Sequence, residues 1–127
     1  MAENKEYFTQ EMENGSIQIS EDVVASVTGM AVLEVEGVCG LSSTIGTDIA
    51  EMLGMKTLSK GVRLSTTEDG ALRIDCDVVS KFGQNIFELA RNVQENVKSS
   101  VESVTGLTVG EVNVTVCGIA LPKETKK

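Results

Sequence analysis

The sequence predicts an α+β fold, a two-layer sandwich in which a small, mostly antiparallel sheet carries two main helices on one face. Three observations predict it. Segments that alternate apolar and polar residues lie between and around two segments of helical period. Each helical segment has a single apolar stripe and each strand a single apolar face, so the two kinds of element must cover one another. The apolar residues are also aliphatic and Val-rich, with aromatics at 3% and no Trp, and β-branched side chains suit a pleated, half-buried surface.

Taken in order, residues 1–14 are polar and acidic and read as a flexible N-terminal arm. Residues 15–119 read as a single domain, and 120–127 as a polar C-terminal tail. A chain of 127 residues suits one domain and can bury roughly two-thirds of its unfolded surface. Gly15-Ser-Ile-Gln-Ile19 alternates like a short strand. Ser20 is a good N-cap, and Glu21 and Asp22 suit the positive helix end. Val23, Val27, Ala31 and Val35 follow at helical spacing, widened by Val24 and Met30, to about Glu36. Gly37 is the stop signal. Thr47 to Gly54 reads as one or two helical turns, with Ile49, Met52 and Leu53 on one side.

Gly61 to Val79 is the clearest hairpin. Val62 and Leu64 alternate with Arg63 and Ser65, and Thr67-Glu-Asp-Gly70 makes the turn. Leu72, Ile74, Cys76 and Val78 then alternate with Arg73, Asp75, Asp77 and Val79. The second helix starts at Asn85 with Glu88 three residues on, the pattern of a capping box. Its stripe is Ile86, Leu89, Ala90, Val93, Val97, Val101 and Val104, and Thr105-Gly106 ends it. The last strand, Glu111 to Ile119, sets Val112, Val114 and Val116 against Asn113, Thr115 and Cys117. Gly37, Gly40, Gly61, Gly83 and Gly106 read as structural glycines.

The net charge of −8 is unevenly placed. Residues 1–55 hold ten acids and one base, and the remainder holds nine acids and ten bases. Such a front repels phosphate backbones and anionic membrane surfaces. No nucleic-acid partner and no direct membrane insertion are expected. The N-terminus lacks an apolar signal region, and no apolar run approaches the ~20 residues of a membrane span. A cytoplasmic protein is expected, peripheral to the membrane only through a partner. Cys39, Cys76 and Cys117 are an odd number with wide spacing, and there is no His. Neither a disulfide framework nor a zinc site is indicated, and no cofactor is expected.

Several stretches have a familiar order and spacing. Ile17-x-Ile-Ser20-x-x-Val23-Val-Ala-Ser-Val27-x-Gly29, Glu34-Val-Glu-Gly-Val38-x-Gly40 and Ser59-Lys-Gly-Val62 resemble the bacterial alkaline shock protein twenty-three family. This is also called the general stress protein twenty-four, or envelope stress response, family. Asn92-Val-Gln-Glu-Asn-Val97, Val101-Glu-Ser-Val-Thr-Gly106, Val112-Asn-Val and Gly118-Ile119 agree, so the resemblance covers about residues 15–119. Cys76-Asp77, the Ile86 region and Cys117 depart from the family pattern. The resemblance implies a small cytoplasmic protein of Gram-positive bacteria tied to cell-envelope stress. It implies a protein partner, either a membrane anchor protein or a neighbouring kinase similar to dihydroxyacetone or fatty-acid kinases. It implies no catalytic residues.

The candidate sites are weighed against plainer roles. Gly37-Val-Cys-Gly40 matches the Gly-x-x-Gly clamp of KH domains, but Glu34 to Glu51 holds no Lys or Arg to meet a phosphate. Backbone freedom at a bend is the better reading. Cys39 and the Ser42-Ser43 pair have no neighbouring base to activate them, so the protein is read as a non-enzyme. Asp75 and Asp77 point outward on one strand face, where solvated charge partnered by Arg63 or Arg73 is the plain reading. Ile49, Met52, Leu53, Met55 and Lys56 form a Met-rich candidate contact. The expected function is a non-catalytic interaction scaffold of the envelope stress response. Its contact is the open sheet face (Arg73, Asp75, Asp77, Thr115) or the Met-rich segment, and a homo-oligomer is a further candidate assembly. The alternatives are a small regulatory partner of a kinase and, against the charge, a KH-like nucleic-acid binder.

Overall fold

The computed structural model describes residues 7–41 and 61–121. The elements run β1 (Tyr7–Met12), β2 (Gly15–Ser20), α1 (Glu21–Leu33), β3 (Val38–Leu41), β4 (Val62–Thr66), β5 (Leu72–Lys81), α2 (Ile86–Thr105) and β6 (Val109–Ala120). The fold is α+β, as the patterning predicts. The fragment expected as a flexible arm is structured from Tyr7: β1 pairs antiparallel with β2, from Tyr7 opposite Ser20 to Met12 opposite Gly15. The missed signal is Glu13-Asn14, the two-residue turn between Met12 and Gly15, where Asn followed by Gly favours a turn. The expected tail begins within a strand, since β6 runs through Ala120.

β5 is the spine of the main sheet. β6 pairs along it in parallel, from Leu72 opposite Val109 to Lys81 opposite Ala120. A strand has two edges, so β4 and β3 share the other one. β4 covers Leu72 to Cys76 and β3 covers Val78 to Ser80, both antiparallel. The β5–α2–β6 crossover accounts for the parallel pair, because parallel neighbours need a long connection.

Burial alternates along β5: Leu72, Ile74, Cys76, Val78 and Ser80 are buried and the residues between them are half-buried. The buried face meets Val24, Ala31 and Val32 of α1 and Leu89, Val93, Val97 and Val101 of α2 in one aliphatic core. Both caps form as expected: Ser20 accepts from the Val23 N–H and Asn85 from the Glu88 N–H. Gly106 closes α2 at φ +77 and donates to the Glu102 carbonyl. α1 differs from its expected stripe. It ends at Leu33, and Val24, Ala25, Thr28, Gly29, Ala31 and Val32 are its buried residues, whereas Val23 and Met30 are exposed. α1 packs against both α2 and the sheet, so its buried arc is wide and includes small and hydroxyl residues; Thr28 satisfies its hydroxyl on the Val24 carbonyl at 2.9 Å. Val104 of α2 is likewise exposed, past the end of the core.

Candidate functional site

The face of β4, β5 and β6 turned away from the helices carries the predicted polar residues. Alternation on β5 sends Arg73, Asp75 and Asp77 to it, because Leu72, Ile74, Cys76 and Val78 point inward. The parallel register brings Glu111 beside Arg73, Asn113 beside Asp75 and Thr115 beside Asp77. The antiparallel register on the other side sets Arg63 opposite Asp75 and Ser65 opposite Arg73.

These neighbours pair off. Arg63 donates from both terminal nitrogens to the two Asp77 oxygens, at 2.9 and 3.2 Å. Arg73 Nε donates to Glu111 Oε1 at 2.6 Å. Asn113 Nδ2 donates to Asp75 Oδ1 at 2.8 Å. The hydrogen bond and charge of Arg63 hold the Asp77 carboxyl below the usual carboxylate range, and Asp77 in turn raises Arg63. Asp75 and Asp77 are therefore braces of the sheet surface rather than a free carboxylate pair. Thr115 is exposed beside them.

Cys76 lies between the two aspartates in sequence but on the opposite face, fully buried in the core. Burial, then the charges of Asp77 and Asp75, push its thiol up to about 12, so it stays protonated and unreactive at neutral pH. Cys39 and Cys117 are exposed. Both sit where the ladders shift register opposite Val79, on the two edges of β5. Cys117 Sγ lies 3.4 Å from the Val78 carbonyl oxygen.

The Gly37–Gly40 stretch is a strand entrance. Gly37 has φ +96, and a Cβ there would stand 2.6 Å from Gln84 Oε1. Its carbonyl accepts from the Lys81 N–H at 2.8 Å, and Val38–Leu41 is β3. Gly61 and Gly83 also have positive φ, at the start of β4 and in the turn after β5. Gly40 is buried within β3. The Met-rich candidate (Ile49, Met52, Leu53, Met55, Lys56) lies outside the described residues, as do Thr47 to Gly54.

Two surface features escape sequence reading. Glu34, Val35 and Glu36 after α1 line a groove of about 410 Å³ with Asn92, Glu95 and Asn96 of α2. Its halves are about sixty residues apart in sequence. Three of the four aromatics, Phe82, Phe87 and Tyr7, are exposed, and only Phe8 packs against the core. Among the described residues, no group of three or more His, Cys, Asp or Glu is arranged to hold a metal ion. No helix among them is long and apolar enough to cross a membrane.

A sequence model of the alkaline shock protein twenty-three family, described by a cell envelope-related function, matches residues 9–121. The chain belongs to that family. Relatives lie in Gram-positive bacteria. The chain is 32% identical to the uncharacterized protein YqhY of Bacillus subtilis, over 83% of this chain and 77% of that one. It is 36% identical to the uncharacterized protein Spy1614 of Streptococcus pyogenes, over 87% of this chain and 93% of that one. Among solved structures, a MamM CTD aligns with a TM-score of 0.46 at 14% identity, over 76% of this chain and 96% of that one. The family is described by a place in the cell, the envelope, and not by a reaction.

Proposed function

We propose that this member of the alkaline shock protein twenty-three family is a non-catalytic scaffold of the cell-envelope stress response. It acts in the cytoplasm and reaches the membrane through a protein partner. The observation that carries this reading is the polar face of β4, β5 and β6 turned away from α1 and α2. Its charged groups already have fixed partners: Arg63–Asp77 and Arg73–Glu111 are ion pairs, and Asp75 accepts from the neutral Asn113 amide. A partner docking there meets a polar surface whose ion pairs are already made, and it has only the Asp75 carboxylate left to match with a positive group, since an unmatched charge is the costly outcome in an interface. Arg73, Asp75, Asp77 and Thr115 are the proposed contacts. Cys76, between the two aspartates, is buried and protonated and so offers no nucleophile there. The family's envelope-related function supports the location.

The test is affinity capture from separated soluble and membrane fractions, with and without nuclease. The expected result is a nuclease-resistant protein partner from the membrane fraction, lost in the Asp75→Arg/Asp77→Arg double variant whose thermal melt stays cooperative. A partner retained by that variant but lost in Met52→Glu/Leu53→Glu would move the contact to the Met-rich segment. Capture of a soluble kinase would favour the regulatory reading. Recovery of RNA would overturn both.

A further inference from the structure

β6 has only one paired edge among the described residues: β5 takes it, and the other edge has no strand. α2 treats the two halves of that open edge differently. Glu102 Oε2 accepts from the Val109 N–H at 2.9 Å, Lys98 Nζ donates to the Val109 carbonyl at 3.1 Å, and Gln94 Nε2 donates to the Val112 carbonyl at 2.9 Å. These three side chains form one stripe of the helix, and it caps the edge. The same stripe continues back through Ala90 and Phe87, four and seven residues before Gln94. Neither side chain can hydrogen-bond. Backbone groups alternate sides along a strand, so those of Val114 and Val116 point the same way as the Val112 carbonyl. They have no partner among the described residues.

The uncapped half is unprotected in other ways. Val112 to Leu121 contains no charged residue and no proline, two of the devices that blunt sheet edges. Only the register shift at Cys117 interrupts it. Exposed apolar side chains flank it: Phe87 is 72% exposed and Ile119 51%.

We infer that this edge is the interface of a homodimer, in which β6 pairs antiparallel with β6 of a second copy. The edge requires an uncharged strand, apolar toward the helices and polar on the other face. β6 is such a strand, with Val112, Val114 and Val116 on one face and Asn113 and Thr115 on the other. A two-fold axis at Val116 satisfies both bare edges at once, with Val116 opposite its own copy, Thr115 opposite Cys117 and Val114 opposite Gly118. It also carries Glu111 of each copy to the ends of the paired stretch. A chain of charge −8 thus meets its twin where charge is least. Phe87 and Ile119 pack along the seam, in the position of aromatic and aliphatic anchors.

The inference rests on the scaffold reading only for its purpose, and its test is separate. Light scattering and sedimentation of the full chain over a range of concentrations should give twice the chain mass of 13.5 kDa. Val116→Pro removes an N–H that bonds nothing among the described residues, and Phe87→Glu changes an exposed helix position. Each should weaken the dimer by about 30-fold or more while leaving the melt cooperative; should Val116→Pro fail to fold, Phe87→Glu decides. A monomer at all concentrations, or a dimer indifferent to Phe87→Glu, overturns the inference. A monomer whose envelope partner is lost in Phe87→Glu overturns it in favour of a strand donated by a different protein. A dimer that captures no partner would leave the interface standing and remove the scaffold reading.

Discussion

Arg63 grips both oxygens of Asp77, although the register places it opposite Asp75. Two conditions favour the diagonal. Sheet twist brings a diagonal neighbour within reach of a long side chain, and Asp75 already accepts from Asn113 on the other side. The pair links β4 to the second half of β5, near the point where β3 takes over the shared edge.

This pair sets a pH dependence. Arg63 holds the Asp77 carboxyl low, so its stabilising effect is complete above the unfolded aspartate value of about 3.9. It is lost as pH falls through the lower folded value. Asp77→Asn should destabilise by under about 1 kcal/mol at pH 7, the range for an exposed pair. The variant and the parent should converge near pH 2. Chemical denaturation at the two pH values checks it, and an unchanged difference would show that charge is not the cause.

Glu102 ties the end of α2 to the start of β6. Its carboxylate accepts from the Val109 N–H and from Lys98 Nζ, and those bonds, the backbone one first, hold its pKa below the usual range. Its contribution is present at neutral pH and fades as pH falls through the depressed value. Glu102→Ala should lower the melting temperature and speed exchange of the Val109 amide, with little change at residues in the middle of β5. Hydrogen exchange by NMR resolves this, and an unaltered Val109 amide would count against the cap.

The three thiols should separate by reactivity. Cys39 and Cys117 are exposed and Cys76 is buried. An aromatic disulfide reagent should titrate two thiols in the folded protein and the third only in denaturant. Rapid titration of all three under native conditions would show that the core opens far more often than its packing implies.

Much of the fold was legible because it depends on near neighbours. Ser20, Asn85 and Gly106 cap helices through bonds spanning three or four residues. The Thr67–Gly70 turn closes through a bond from the Gly70 N–H to the Thr67 carbonyl. The candidate site was legible in its members and not in its partners. Strand alternation sends Arg73, Asp75 and Asp77 outward, but Arg73 takes Glu111 and Asp75 takes Asn113, each 38 residues away. No local pattern encodes that choice.

The sequence by itself determined the α+β class, the two helices, the β4–β5 hairpin and which β5 side chains face the core. Period and capping chemistry act over a few residues, so they survive without tertiary context. Only the tertiary structure decided that β6 lies parallel to β5, that β3 and β4 share one edge, and that α1 turns Met30 outward and Thr28 inward. These depend on which distant surfaces meet. That is set by the joint burial of α1, α2 and the sheet, a property of the assembled layers and of no single segment.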